Sequence, residues 1–148
     1  MEAIQVLTCR LDQGLVAINI QHVREIQPVT ACTPLPLSAP YIKGVVSIRD
    51  QLIPVMDLHV RFGWPAPAAD QRLVVLDSGE ARFAIIVDET KDVTDAQWDR
   101  HGDIPEEVDI PAAFLDGTCH VNGQAVPLLN PRTLIAESRQ LAASRRNK

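Results

Sequence analysis

Residues 41–63, YIKGVVSIRDQLIPVMDLHVRFG, read as strand, tight turn, strand and short helix. Val45 to Ile48 and Leu52 to Leu58 are β-prone runs, and Arg49-Asp50-Gln51 between them is short enough to make the pair a hairpin. Gly44 opens the first strand where a bulkier residue would not fit. Asp57 stands just before the helical segment, in the position of an N-cap. The same pattern returns 73 residues later, in FLDGTCHVNGQAVPLLNP at 114–131. There Gln124 faces Gln51, Pro127 faces Pro54 and Asn130 faces Asp57. Asp50 faces Gly123 of Asn122-Gly123, a strong hairpin-turn dipeptide. A second match, at an offset of 67, sets Leu15 to Ile26 against Arg82 to Val93. Two segments recurring in one order predict two copies of a single supersecondary unit.

Composition supports a folded chain with an aliphatic, strand-rich core: 46% of the 148 residues are hydrophobic and only 4% aromatic. A net charge of −5 argues against a general nucleic-acid binder. The only basic run, Arg145 to Lys148, reads as a solvated tail. The N-terminal residues lack the apolar stretch of a signal peptide, and no run approaches the length of a transmembrane helix. Cys9, Cys32 and Cys119 are odd in number and widely spaced, as expected of reduced thiols in a cytoplasmic protein.

In chain order, Ala3 to Cys9 and Leu15 to Ile20 read as strands about an Asp12-Gln13-Gly14 turn. Gln21 to Ile26 reads as one helical turn leading into a strand. Pro28, Pro34, Pro36 and Pro40 stiffen an extended connection. Leu52 to Leu58 is apolar on both faces, as in a strand buried on two sides between two halves of the protein. Pro54 and Pro127 mark an edge or a bulge. Trp64 to Asp70 is the candidate boundary between the halves. Arg72 to Asp77 and Arg82 to Asp88 form a further hairpin about Ser78-Gly79-Glu80. The polar segment Asp95 to Asp103 and the acidic one to Asp109 read as a short helix or loop. Asn130-Pro131 starts a closing helix with Leu134, Ile135, Leu141 and Ala142 on its apolar side. The fold class is thus mostly all-β, with two similar small barrels and a terminal helix. The subdomains run over about 10–66 and 67–148, with the N-terminal strand free to pair with either.

No catalytic set emerges. Cys119 and His120 are strand neighbours and point to opposite faces. His22, His59, His101 and His120 lack the spacing of zinc ligands. No glycine-rich phosphate loop is present. Asp88-Glu89 and Glu106-Glu107 read as solvated faces or a helix first turn. The expectation is a non-enzyme with no metal and no cofactor.

The aromatic-Ile-x-Gly step, the Ile-x-Pro-Val-x-Asp-Leu run and Arg61-Phe62 together resemble the CheW family of chemotaxis coupling proteins and the homologous domain that ends CheA histidine kinases. IQHVREI, VVLDSGEARFAIIVDETKDV and AAFLDGTCHVNGQAVPLLNPRTLI extend the resemblance over nearly all of residues 3–137. It implies two SH3-like five-stranded β-barrels around a common core, and an adaptor rather than an enzyme. The implied partners are the regulatory domain of a CheA-type histidine kinase and the cytoplasmic tip of methyl-accepting chemoreceptors, in cytoplasmic arrays attached to membrane-bound receptors. No nucleic acid and no direct membrane insertion are implied. Val23 and Glu25 match receptor-contacting positions, and Ile85, Ile86 and Val87 match apolar positions lining the receptor groove. Arg49, with Asp50 beside it, matches the hairpin tip on the kinase side. Glu25 also reads as a plain surface charge, and Ile85 to Val87 as plain core. Asp50 stands where the family usually has Gly, Ser47 where it usually has Asn, and Ala84 replaces a frequent Gly. A regulatory module of a pilus-type or other non-flagellar pathway, with a different partner, is the alternative. At the tip, Asp50 is expected to take up positive φ and to hold or mask the Arg49 guanidinium.

Overall fold

The computed structural model describes residues 1–12, 14–67, 71–106 and 109–136. Among them are ten strands: β1 Glu2–Leu11, β2 Gly14–Asn19, β3 Val23–Pro28, β4 Ile42–Ile48, β5 Gln51–Asp57, β6 Arg72–Asp77, β7 Arg82–Val87, β8 Glu89–Asp99, β9 Leu115–Val121 and β10 Gln124–Leu129. One short helix, α1 (Leu58–Phe62), follows β5, and residues 131–136 are helical. Gln13, 68–70 of the expected boundary, Glu107, Leu141, Ala142 and Arg145 to Lys148 lie outside the described residues.

The strands form two five-stranded sheets. β1-β2-β10-β9-β8 closes into a barrel, and β3-β6-β7-β5-β4 forms the second sheet. The first draws on residues 2–19 and 89–129, the second on 23–87. The division at about residue 66 therefore does not coincide with the sheet boundaries. The chain changes sheet at two repeat-equivalent corners. One is the 3-10 turn Ile20–His22 between β2 and β3; the other is the single residue Asp88 between β7 and β8. At each corner an antiparallel hairpin ends and the next strand is delivered to the opposite sheet.

The repeat extends to register. β4–β5 pairs Ile48 with Gln51, Val46 with Ile53 and Ile42 with Met56; β9–β10 pairs Val121 with Gln124, Cys119 with Val126 and Leu115 with Leu129. Both hairpins carry an irregularity near their open ends, and there Gly44 and Gly117 hold φ of 148° and 76°. A Cβ at either would meet the backbone carbonyl of Thr33 or Asp99, which a side chain forbids. The open ends are tied alike: Asp57 N donates to Tyr41 O at 2.7 Å, and Asn130 N to Phe114 O at 2.8 Å. The parallel pairs Val55–Ala84 and Leu128–Ala17 are also equivalent. Pro54 and Pro127 each lie one residue before this parallel pairing begins, so both strands are interior and each missing N–H falls where no neighbour needs it.

Burial sorts into three clusters. Val6, Ala17, Cys119, Val126 and Leu128 fill the barrel, and Val46, Ile53, Val55, Leu73 and Ile86 line the inner face of the second sheet. The largest cluster lies between the sheets: Leu7, Leu11 and Ile18 meet Met56, Leu58, Leu76, Phe83 and Ile85. Each such fully buried side chain contributes roughly 1.5–3 kcal/mol. β5 does serve two cores, with Ile53 and Val55 on one face and Met56 on the other, but Leu52 at its start is 73% exposed. Leu134 and Ile135 seal the end of the central core behind the Asn130 cap, whose Oδ1 accepts from Arg132 N.

One segment departs from its expected form. Residues 95–99 continue β8, which pairs with β1 along most of its length and with β9 at Gln97, Trp98 and Asp99. Only Ala96 of this strand is fully buried. Backbone pairing on two sides holds the strand, so its sequence lacks the apolar alternation that marks a half-buried one.

Candidate functional site

The thiols and imidazoles do not converge. Cys119 is wholly buried, and burial pushes its thiol up to about 11, while His120 beside it faces outward. Burial likewise pushes Cys9 up to about 12. Neither thiol is a thiolate near neutrality, so neither is an activated nucleophile. Among the described residues no group of three His, Cys, Asp or Glu side chains is placed to hold a metal ion.

The β4–β5 tip is a two-residue turn in which Arg49 (φ 49°) and Asp50 (φ 64°) are both left-handed, the geometry of a type I′ hairpin turn. The expected positive φ is therefore present at Asp50, and Arg49 shares it. The guanidinium is not held by Asp50. It reaches back to β3, where Arg49 Nε donates to Glu25 Oε2 at 2.9 Å and Nη2 to Oε1 at 3.4 Å. This two-point contact fixes the fork of the guanidinium against the carboxylate. Gln27 Nε2 donates to the same carboxylate at 3.0 Å. The Arg49 hydrogen bond, then that from Gln27, holds the Glu25 carboxyl below its ordinary range, and Glu25 raises Arg49 in return. Glu25 pairs with Val75 and Gln27 with Leu73, so these two share one side of β3; a register shift before Glu25 breaks the alternation, and Val23, opposite Leu76, is half-buried against the central core.

Ile85, Ile86 and Val87 are placed differently from a groove lining. All three are 0% exposed: Ile85 and Val87 belong to the central core and Ile86 to the core of the second sheet. β7 lies between β6 and β5, so both its edges and both its faces are covered. These side chains offer no surface to a partner.

Beside the tip lies a hollow of about 540 Å³ lined by Gln51, Leu52, Ile53, Asp77, Gly79 and Arg82. Asp77 takes ion pairs from Arg24 at 3.4 Å and Arg82 at 3.3 Å, and Arg82 Nη1 donates to Gln51 Oε1 at 3.2 Å. The Gly79 amide, more than either arginine, lowers the Asp77 carboxyl. Leu52, Asp77 and Arg82 were not singled out in the sequence. The one available signal was Leu52, a leucine directly after a hairpin tip.

Asp88 is also placed against expectation. It is 5% exposed rather than solvated, and both its oxygens lie 2.8 Å from Nε2 of the equally buried His59. The pairing spans strand end and helix, 29 residues apart, and no local spacing announces it.

Residues 5–139 match the sequence model of the CheW-like domain. The "Probable chemotaxis protein CheW" of Rhizobium etli is 27% identical over 142 residues, covering 94% of this chain and 92% of the relative. The "Chemotaxis protein CheW" of Rhizobium meliloti is 26% identical over 144 residues, with the same coverage of 94% and 92%. That of Treponema pallidum is 31% identical over 93 residues, 59% of this chain and 55% of the relative. In fold, the chain is similar to the crystal structure of the scaffolding protein TtCheW from Thermoanaerobacter tengcongensis, with a TM-score of 0.75 at 22% identity over 86% of this chain and 89% of that one. No described helix is long and apolar enough to cross a membrane.

Proposed function

Because the chain belongs to the CheW-like domain family, we propose that it is a cytoplasmic, non-catalytic scaffold that couples the tips of chemoreceptors to the regulatory domain of a CheA-type histidine kinase. The ion pair between Glu25 and Arg49 carries this reading. Glu25 stands at a position matched to the receptor side and Arg49 at one matched to the kinase side. One bidentate contact joins them across the gap between β3 and the β4–β5 tip. A partner that draws Glu25 away frees Arg49, and a partner that takes Arg49 frees Glu25. Arg49 is 78% exposed along its side chain and Glu25 25%, so the arginine is the more accessible end. Charge placement of this kind acts on partner choice and encounter more than on intrinsic stability.

The test is titration of a CheA-type regulatory domain and of a receptor-tip fragment against the parent, Arg49→Glu, Glu25→Arg and the double exchange. Arg49→Glu is expected to weaken kinase-domain binding about tenfold and Glu25→Arg to weaken receptor binding by a similar factor. Melting curves should stay close to the parent. The double exchange restores the ion pair with reversed polarity; if it restores neither binding event, each residue acts by direct contact. Parent-like binding by both single variants would overturn the reading.

A further inference from the structure

His59 and Asp88 take no part in the interaction site, yet they form the most deeply buried ion pair among the described residues, with side-chain exposures of 5% and 4%. Each ring nitrogen of His59 meets an accepting oxygen. Nδ1 lies 2.6 Å from the Pro65 carbonyl oxygen, and Nε2 lies 2.8 Å from both carboxylate oxygens of Asp88. A neutral imidazole has one donor nitrogen and one acceptor nitrogen. In either tautomer one of these contacts would set lone pair against lone pair. The ring that carries both protons satisfies both contacts. Asp88 is correspondingly surrounded by donors: the Asp12 amide at 2.6 Å on Oδ2 and the Gln71 side-chain amide at 3.2 Å on Oδ1. That is the complement a carboxylate needs.

The pair also sits where separate parts of the chain meet. His59 belongs to α1, which continues β5 of the second sheet. Asp88 is the corner at which the chain leaves that sheet for the barrel, and its own amide donates to Arg10 O of β1 at 3.0 Å. Pro65 belongs to the link that leads out of α1. We propose that His59 and Asp88 form a pH-sensitive latch: with both ring protons present it ties the link to the junction of the two sheets, and loss of one ring proton releases the link. The repeat-equivalent positions are Arg132, exposed after Asn130, and Gln21, exposed in the 3-10 turn. The latch is therefore built at one corner and not at the other.

The charges around the ring come from every neighbouring segment. Asp57 caps its helical turn and Arg61 lies on it, Asp88 stands between β7 and β8, Arg10 lies near the end of β1 and Asp12 just beyond it. Arg10 is engaged elsewhere, donating to Asp12 O at 3.1 Å and pairing with Glu89 at 3.5 Å. The described part of the link contributes the Pro65 carbonyl and no charge. Burial alone would lower the imidazole, but the hydrogen bonds to Asp88 and Pro65 and the charges of Asp88 and Asp57 outweigh it, so His59 titrates above its ordinary 6.5. A raised folded-state value stabilises the fold in full below about 6.5 and is lost as pH rises through the folded value. A cavity of about 260 Å³ lined by Arg10, Asp12, His59, Pro65, Pro67 and Asp88 brings solvent to the pair, so the proton has a route out.

The experiment is nitrogen NMR of the histidine rings in the full chain from pH 5.5 to 9, with amide hydrogen exchange and melting curves over the same range. The His59 ring is expected to show both nitrogens protonated at pH 7. As it loses a proton, exchange at Ala66 and Gln71 should accelerate at least tenfold beyond the intrinsic effect of pH. The melting-temperature advantage of the parent over His59→Gln should be largest near pH 6 and shrink toward pH 9, whereas His59→Arg, permanently charged, should change little with pH relative to the parent's acid limb. A neutral His59 ring at pH 6, or exchange in the link that ignores the ring's titration, overturns the latch. Should His59→Gln fail to fold, the ring spectrum and the exchange of the unmodified protein still decide the matter.

Discussion

The two halves of the molecule share one unit and close it differently. In the barrel, β8 runs to Asp99 and pairs three residues with β9, Gln97–His120, Trp98–Cys119 and Asp99–Thr118. In the second sheet the equivalent strand, β3, ends at Pro28, and the seam beside β4 is the single bridge Thr33–Val45. The bridge falls at the equivalent of Asp99–Thr118, so the closing point is kept and the rest of the ladder is not. Pro28, Pro34 and Pro36 remove the donors that would extend it. Their tips differ as well: Asn122-Gly123 is turn chemistry alone, whereas Arg49-Asp50 puts charge at the same place. The half whose seam is weakest is also the half that carries the Glu25–Arg49 pair. Sequence spent on regular pairing in one copy is spent on surface chemistry in the other.

The sharpest way to break this comparison is at the two seam glycines. Gly117→Val sets a side chain against the carbonyls of Asp99 and Arg100 and forces a positive φ on a β-branched residue. It should cost about 3 kcal/mol or more, with loss of the β8–β9 ladder. Gly44→Val meets Thr33 in the same way, but one bridge can give where three pairs cannot, so its cost should be nearer ~2 kcal/mol. Urea unfolding of both variants measures the difference. Equal losses would mean that the seams are equally strong.

A second test sharpens the equivalence at the shared core. Ile18 and Ile85 are repeat partners and both are 0% exposed between the sheets. Ile18→Ala and Ile85→Ala should each cost about 3 kcal/mol and agree to within about 1 kcal/mol. Folded Ile85→Ala should bind a receptor-tip fragment as the parent does. A selective loss of binding there would return Ile85 to the contact surface.

The caps come next in size. Asp57 Oδ1 accepts from His59 N at 3.0 Å and from Val60 N, and Asn130 Oδ1 accepts from Arg132 N at 3.0 Å and from Thr133 N. Asp57→Ala and Asn130→Ala should each cost about 1 kcal/mol in thermal or urea unfolding. A cost confined to one would show that only one of the two helical turns depends on its cap.

What was legible in the sequence is what local chemistry writes. The hairpins, both caps and the seam glycines follow from turn residues and alternation, and the repeat doubled each signal. The first turn is one residue shorter than Arg49-Asp50-Gln51, since Gln51 already pairs with Ile48, and Pro54 and Pro127 lie in interior strands rather than at an edge. Strand β8 was not legible over 95–99, because pairing on two sides lets it be polar. The interleaving of the sheets was not legible either, since which hairpin meets which is settled by contacts between distant segments. Of the site, Arg49, Asp50 and Glu25 were named, but their connection was not: Arg49 bonds a residue 24 positions away rather than its neighbour. Ile85 to Val87 were carried from family positions, where an apolar triplet in a strand does not reveal that both faces are covered. His59 and Asp88 each look ordinary until the fold sets them 2.8 Å apart.

The smallest expected effect lies at the tips, and it separates stability from function. Both residues of the first tip sit at positive φ, where Asn and Gly are at ease and arginine is not. The second tip shows what the same turn looks like when only the turn matters: Asn122 at φ 50° and Gly123 at φ 79°. Replacing Arg49-Asp50 with Asn-Gly should therefore relieve strain at Arg49. At Asp50 it should do less, because the freedom gained by Gly in the unfolded chain offsets part of the relief. The net expectation is a rise in melting temperature of roughly 2–5 °C. The exchange also removes the Glu25 ion pair, so the same protein should bind a CheA-type regulatory domain more weakly. The reverse exchange, Asn122→Arg with Gly123→Asp, sets an arginine near Asp92 of β8, the repeat equivalent of Glu25, but places at positive φ two side chains less suited to it. It should lower the melting temperature and leave kinase-domain binding unchanged. If Asn-Gly at 49–50 neither raises the melting temperature nor weakens binding, the first tip is neither strained nor functional, and the two tips differ only in sequence.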